Sequence, residues 1–206
     1  MKDNLILVGY SGHAFGVIEC LLDENKRFDG YVDKTEKIFN PFDIPYLGKD
    51  EILFKSNTVQ NVHIAFGNLT LRREWLNFFQ KEKLEFQTII SLATNISKFA
   101  NIGKGTFIAK GVNIGPFVNI GRNCILNTSC SIDHEVKVGN NSHIAPGAVL
   151  AGGVIIGDNT LIGANSIIKE NVVIGNNAVI GAGSVVLNNV ANSETVVGNP
   201  AKSLDK

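Results

Sequence analysis

Between Ile90 and Ala191 an aliphatic residue returns at every sixth position, through Ile90, Ile96, Ile102, Ile108, Ile114, Ile120, Leu126, Ile132 and Val138 to Val186, seventeen hexads without an exception. Four positions after each of them stands a small or β-branched residue, among them Thr94, Ala100, Thr106, Cys124, Ser142 and Val172. Neither the period of a strand nor that of a helix produces this register. A coil does, in which each hexad forms one flat side, its first residue points to the axis, and three hexads close a triangular turn. Equivalent residues then lie above one another. The core is predicted to be stacked columns of Ile and Val, which suit a β surface, with the small fifth residue in the narrow corner. Asn, Asp, Gly and Pro at the third and fourth places are turn formers.

Residues 1–89 follow other periods. Leu5-Ile6-Leu7-Val8 reads as a short buried strand. The turn Gly9-Tyr10-Ser11-Gly12-His13-Ala14-Phe15-Gly16 follows, then a helix with Val17, Ile18, Leu21 and Leu22 on one face. Further strands are expected at 30–33, 62–66 and 86–89, with a helix over 70–83. Such alternation makes a small, doubly wound, Rossmann-like parallel sheet. The predicted organisation is an α/β domain over 1–89 and an all-β parallel β-helix of hexapeptide repeats over 90–206, the latter including a C-terminal tail.

Composition narrows the function classes. A chain of 206 residues with 44% apolar residues is ordinary for one or two globular domains. Its formal charge of zero gives no electrostatic reason to expect nucleic acid or an anionic membrane as a partner. The apolar run Leu5 to Val8 is too short for a signal segment or a membrane span, which predicts a cytoplasmic protein. Cys124 and Cys130 occupy the small position of consecutive hexads, and Cys20 falls in the helix, so all three read as buried, inert thiols. No close-spaced Cys/His group suggests a metal.

A glycine turn after a first strand presents backbone N–H groups and a helix N-terminus, which suit a phosphate or pyrophosphate. Here the spacing is G-x-x-G-x-x-x-G, set by Gly9, Gly12 and Gly16, so a dinucleotide redox cofactor is not supported. Asp33, at the end of the second strand, is placed to meet a ribose or a base. Gly67-Asn68 belongs at the same carboxyl edge. These features favour nucleotide binding over a merely tight turn. The proline-containing segment from Lys37 to Tyr46 is predicted to be a loop that closes over a sugar.

Gly9-Tyr10-Ser11-Gly12-His13, Ile64-Ala65-Phe66-Gly67-Asn68, Leu126-Asn127-Thr128-Ser129, Asp133-His134-Glu135 and Gly198-Asn199-Pro200-Ala201-Lys202 together carry a resemblance that spans the chain. It resembles the bacterial nucleotide-sugar N-acetyltransferases of surface-glycan and glycoprotein pathways and the sialic acid O-acetyltransferases. The resemblance implies a left-handed coil, acetyl-CoA as co-substrate without a metal, and a homotrimer with active sites between neighbouring subunits. It implies His134 as general base, oriented by Glu135, with the Gly152 N–H receiving the oxyanion in a direct transfer. An imidazole titrates near working pH, and a carboxylate beside it fixes its tautomer. Adjacent residues in an extended strand face opposite sides, so the His134–Glu135 pairing demands a corner.

By the same resemblance His143 contacts the thioester region, Gly163, Gly181 and Ala182 line the pantetheine groove, and Lys202 meets the CoA phosphates. Asn127 and Asp133 help to place the acceptor. Gly9, Ser11, Gly12, His13, Asp33, Gly67 and Asn68 hold the nucleotide sugar, whereas His63 reads as strand filler. The implied acceptor is a nucleotide-linked amino sugar, a 4-amino-4,6-dideoxyhexose; O-acetylation of a sialic acid or related sugar is the rival. A β-helical carbonic anhydrase needs three zinc-binding histidines, and the coil contains His134 and His143 alone. A purely structural or sugar-binding coil leaves the Asp133-His134-Glu135 and terminal motifs without a purpose.

Overall fold

A computed structural model describes residues 5–49, 52–53, 60–79 and 84–204. Two compact units divide the chain, Met1–Ile89 and Ile90–Lys206. Among the described residues no helix is long and apolar enough to cross a membrane.

The first unit is built on a five-stranded sheet. Its elements are β1 (Leu5–Val8), α1 (Gly12–Asp23), β2 (Gly30–Val32), β3 (Tyr46–Gly48), β4 (Gln60–Ile64), α2 (Leu69–Phe79) and β5 (Leu84–Phe86). All strands are parallel, in the order β3-β2-β1-β4-β5. The chain starts in the middle, fills one side, and returns to fill the other. The switch point lies between β1 and β4, the place where an open parallel sheet parts its loops. A parallel sheet needs cover, and β1 and β2 are accordingly buried throughout. On α1 the residues Ala14, Val17, Ile18 and Leu21 recur at helical spacing and are buried.

The structure departs from the expected elements at four points. The segment from Lys37 to Tyr46 ends in a strand, since Tyr46 pairs with Tyr31; three residues preceded by Pro41 and Pro45 carried too little periodicity to show it. Strand β4 begins at Gln60, earlier than the expected 62–66, and the last strand of the unit is Leu84–Phe86 in place of 86–89. The helix expected over 70–83 is seen as Leu69–Phe79, and 80–83 lie outside the described residues.

His63 and Arg72 are the buried polar side chains of β4 and α2. Arg72 Nη1 donates to the carbonyls of Ile64 and Phe66 at 2.8 and 3.0 Å, tying the first turn of α2 to the exit of β4. His63 Nδ1 donates to Gln87 O at 2.8 Å, and burial pushes its pKa down to about 3, with Arg72 nearby acting in the same direction. The folded unit therefore keeps His63 neutral where the unfolded chain would protonate it. This contribution is fully present above pH 6.5 and is lost as pH falls from there toward 3, by about 1.4 kcal/mol per unit. Urea unfolding at pH 7.5 and about pH 5 should show that loss in the wild type and a shallower one in His63→Gln. Equal slopes would remove His63 from the acid response.

The second unit is a left-handed parallel β-helix. Two-residue strands pair in parallel with the equivalent residues 18 positions on, Asn113 with Ser131 and Ile114 with Ile132, in three sheets of six, five and eight strands, the last closed by one antiparallel strand of the tail. The second residue of each strand is the aliphatic start of a hexad. From Ile108 to Val186 these residues form one continuous buried core with the fifth-position Val112, Val118, Cys124, Cys130, Val136, Ala148 and Val154. Each such aliphatic side chain contributes about 1.5–3 kcal/mol on burial.

One corner of the coil explains its small residues further. Thr106 Oγ1, Cys124 Sγ, Ser142 Oγ and Thr160 Oγ1 stand one above another, and each donates to a carbonyl 15 residues later: Gly121, Gly139, Gly157 and Gly175, at 2.7–3.1 Å. The corner thus satisfies its own buried carbonyls. Cys130 lies in an apolar setting where burial raises its thiol to about 12, and all three cysteines are buried and free.

Candidate active site

The hexad Ile132-Asp133-His134-Glu135-Val136-Lys137 leaves one sheet at Ile132 and enters the next at Lys137, so Asp133, His134 and Glu135 form a corner. The residue in the fourth place of a hexad takes a left-handed backbone conformation, usually as Asn or Gly, as at Asn123, Asn141, Asn159, Gly147 and Gly153. Glu135 holds that conformation at φ 62°. The reversal supplies the corner that the pairing with His134 demands. His134 Nδ1 donates to Glu135 Oε2 at 3.0 Å, which leaves Nε2 with its lone pair available to accept a proton. Asp133 Oδ1 accepts the His134 backbone N–H at 2.7 Å and fixes the turn.

One turn further along the same corner lies Gly152. A Cβ built there would stand 2.5 Å from His134 Cε1 and 2.6 Å from Nε2. The imidazole therefore rests in space that only glycine leaves open. The Gly153 N–H donates to His134 O at 3.0 Å and the Asn171 N–H to Gly152 O at 3.0 Å, locking the turns together. The Gly152 N–H has no acceptor among the described residues. Imidazole, carboxylate and open donor thus share one corner, with His134 half-exposed.

Asn127, His143, Gly163, Gly181, Ala182 and Lys202 lie elsewhere. Asn127, Gly163 and Gly181 share a column at the preceding corner, between the sheet that contains His143 and the sheet that contains Ile132. Asn127 Nδ2 and His143 Nε2 are 3.2 Å apart, and His143 sits in the ladder between Ile125 and Leu161. Gly163 has Ala182 N within 2.5 Å of a built Cβ, so successive turns stack backbone on backbone there. Ala182 is exposed, and Lys202, also exposed, pairs with Val197 in the antiparallel return of the tail. Within one chain, a side of the triangle separates this group from His134.

The residues of the first unit gather at its switch point. Gly9, at φ 90°, donates to Val32 O at 2.8 Å, and a Cβ on it would overlap the Phe66 ring. Ser11 caps the start of α1 without a side-chain bond, and space is open beside Gly12. His13 Cβ lies 3.6 Å from a Cβ built on Gly67, so the loops after β1 and β4 meet. Asn68 Oδ1 accepts the Leu71 N–H at 3.0 Å and caps α2.

Asp33 Oδ2 accepts the Tyr10 N–H at 3.1 Å and the Lys37 ammonium at 3.0 Å, while Oδ1 accepts the Lys34 N–H at 2.7 Å. Its carboxylate is first of all a tie between the glycine turn and β2. The sequence reading missed Lys37 and Asn40 as partners here. Asn40 Oδ1 accepts from Tyr10 OH and the Ile44 N–H at 2.5 and 3.0 Å, and Tyr31 OH accepts the Lys37 N–H at 2.9 Å. The 37–46 segment is thereby fastened at both ends. Among the described residues no group of three His, Cys, Asp or Glu side chains could hold a metal ion.

The profile of the PglD N-terminal domain matches residues 4–79, and that of the bacterial transferase hexapeptide matches residues 118–152 and 153–188. No curated protein matches the chain in sequence. Among solved structures, the chain is similar to PerB from Caulobacter crescentus in complex with CoA and GDP-perosamine, at 27% identity and a TM-score of 0.92, covering 98% of this chain and 97% of that one. It is similar to the acetyltransferase domain of PglB from Neisseria gonorrhoeae, at 26% identity and a TM-score of 0.90, covering 98% of this chain and all of that one. The same domain in complex with acetyl coenzyme A gives 25% identity and a TM-score of 0.92, with 99% of this chain covered and all of that one.

Proposed function

We infer that the chain belongs to the bacterial nucleotide-sugar N-acetyltransferases, hexapeptide-repeat enzymes with a PglD-type N-terminal domain, and from that premise propose that it acetylates the amino group of a nucleotide-linked 4-amino-4,6-dideoxyhexose, with His134 as general base. The observation that carries this reading is the imidazole held by Glu135 and seated on Gly152, beside a backbone N–H with no acceptor among the described residues.

The chemistry follows from those atoms. The sugar amine attacks the thioester carbonyl of acetyl-CoA, and Nε2 of His134 takes the proton that the nitrogen sheds. Charge gathers on the carbonyl oxygen, where the Gly152 N–H is a preorganised donor. Collapse expels the CoA thiolate, which recovers the proton from the imidazolium. Transfer is direct: the cysteines are buried, so no thiol is open to acylation.

The acceptor's nucleotide is assigned to the switch point of the first unit, with Gly9, Ser11, Gly12, His13, Asp33, Gly67 and Asn68 around it. Acetyl-CoA is assigned to the column of Gly163, Gly181 and Ala182, with His143, Asn127 and Lys202. Since that column and His134 occupy different corners of one coil, a complete site calls for two chains, and we assign a homotrimer. The outward surface supports this. Val149 and Ile167 on one face and Ile155 and Val173 on the next are exposed aliphatics flanking the His134 corner. In earlier turns the same faces carry the asparagine pairs Asn95–Asn113 and Asn101–Asn119.

Thiol release from acetyl-CoA, measured against UDP-, dTDP- and GDP-linked 4-amino-4,6-dideoxyhexoses and free sialic acid, tests the reading. Turnover is expected on one of the nucleotide-linked amines and not on sialic acid. Turnover on sialic acid alone would replace N-acetylation by O-acetylation.

A further inference from the structure

Phe117 occupies the fourth place of its hexad and holds the left-handed conformation at φ 61°, where neighbouring corners use Asn or Gly. A bulky side chain is disfavoured there. Burial does not compensate: Phe117 is 60% exposed and Phe99, 18 residues earlier in the same column, is 54% exposed. The two rings stack on each other, with centroids 5.6 Å apart and planes at 27°. An exposed aromatic pair, one member of it strained, in a coil that fills this position in most turns with Asn or Gly points to a contact outside the chain.

Its place says what that contact is. Phe117 and Glu135 are successive members of one column, and the Glu135 N–H donates to Pro116 O at 3.0 Å. Stacked turns are spaced by roughly 4.8 Å. The aromatic surface therefore begins one turn from the proposed base. In a 4-amino-4,6-dideoxyhexose the methyl group C6 is attached to C5, the carbon next to the one bearing the amine. His134 leans over Gly152, one turn to the other side, so an acceptor whose amine reaches Nε2 has to extend back across the His134–Glu135 turn for its methyl and C–H face to meet the aromatic pair.

We propose that Phe117, backed by Phe99, is the platform for the apolar edge of the acceptor sugar, selecting the 6-deoxy sugar over its 6-hydroxy counterpart. A hydroxyl against the aromatic ring loses hydration without gaining a partner, whereas a methyl gains contact with the ring face. This assignment rests on the N-acetyltransferase reading above.

The test is Phe117→Asn, which installs the residue that neighbouring corners already use and so relieves the backbone. Steady-state kinetics would compare, for wild type and variant, the nucleotide-linked 4-amino-4,6-dideoxyhexose and the matching 4-amino-4-deoxyhexose. The ratio of kcat/KM between the two is expected to fall by about tenfold in the variant, chiefly through a higher KM for the 6-deoxy acceptor, while Tm stays level or rises. An unchanged ratio with wild-type turnover intact overturns the platform and leaves the function standing. Loss of the native oligomer in the variant also overturns it, because the rings would then be covered by another copy of the chain. A wild type inert toward both acceptors overturns the functional reading, and this inference with it.

Discussion

Replacing His134 by alanine is expected to lower kcat by roughly a hundredfold or more, as for loss of a general base, while thermal unfolding stays close to that of the wild type. The two halves of this expectation have separate sources. The ring is half-exposed and lies outside the stacked core, so removing it opens no cavity. Its backbone role survives, since the His134 carbonyl still accepts from Gly153. What disappears is the one nitrogen aimed outward with a lone pair. Thiol release under saturating acetyl-CoA reads the first half and calorimetry the second. Near-normal turnover in a folded variant would remove His134 from the mechanism.

Gly152→Ala should cost almost as much activity by a route that leaves every functional group in place. Its Cβ would fall on Cε1 and Nε2 of the imidazole, closer than carbon and nitrogen approach. The clash is with the far end of an exposed side chain, so the ring swings away and the coil is little disturbed. A base displaced by an ångström or more forfeits on the order of a hundredfold in rate. The effect must vanish when the ring is absent. Gly152→Ala added to His134→Ala should therefore lower kcat little further, the signature of two changes acting through one group. Full turnover in Gly152→Ala, or a fall in Tm comparable to a broken turn, would contradict the seat that the glycine provides.

The coil was legible because its signal is long. Seventeen aliphatic positions in register leave no other period standing, and the polar Thr106, Cys124, Ser142 and Thr160 broke no rule of size while serving as carbonyl donors that size alone does not reveal. In the first unit β1, β2 and α1 announced themselves by burial pattern. β3 did not, because a three-residue edge strand reached through prolines has no periodicity to read. The pairing of His134 with Glu135 was implied by the resemblance and ran against the alternation of adjacent strand residues; its cause, the left-handed backbone at Glu135, is set by the corner and not by the residue type. Phe117 left a mark in the sequence that went unread: a phenylalanine in a place given in most turns to Asn or Gly. Asp33 was expected to face a ligand, and its ties to Tyr10, Lys34 and Lys37 emerge only when loops distant in sequence are brought together.

The offset of 18 residues that stacked strands keep from Ile96 to Val186 has a consequence for how chemistry is written into such a chain. Every turn offers the same backbone, so a position on the surface is specified by two coordinates: a residue's place within the triangle and the number of its turn. Lys98, Pro116, His134, Gly152 and Glu170 share the first coordinate and differ only in the second. The scaffold is thus a lattice of interchangeable addresses, and the corner proposed for catalysis is one where a histidine and a glycine occupy adjacent cells.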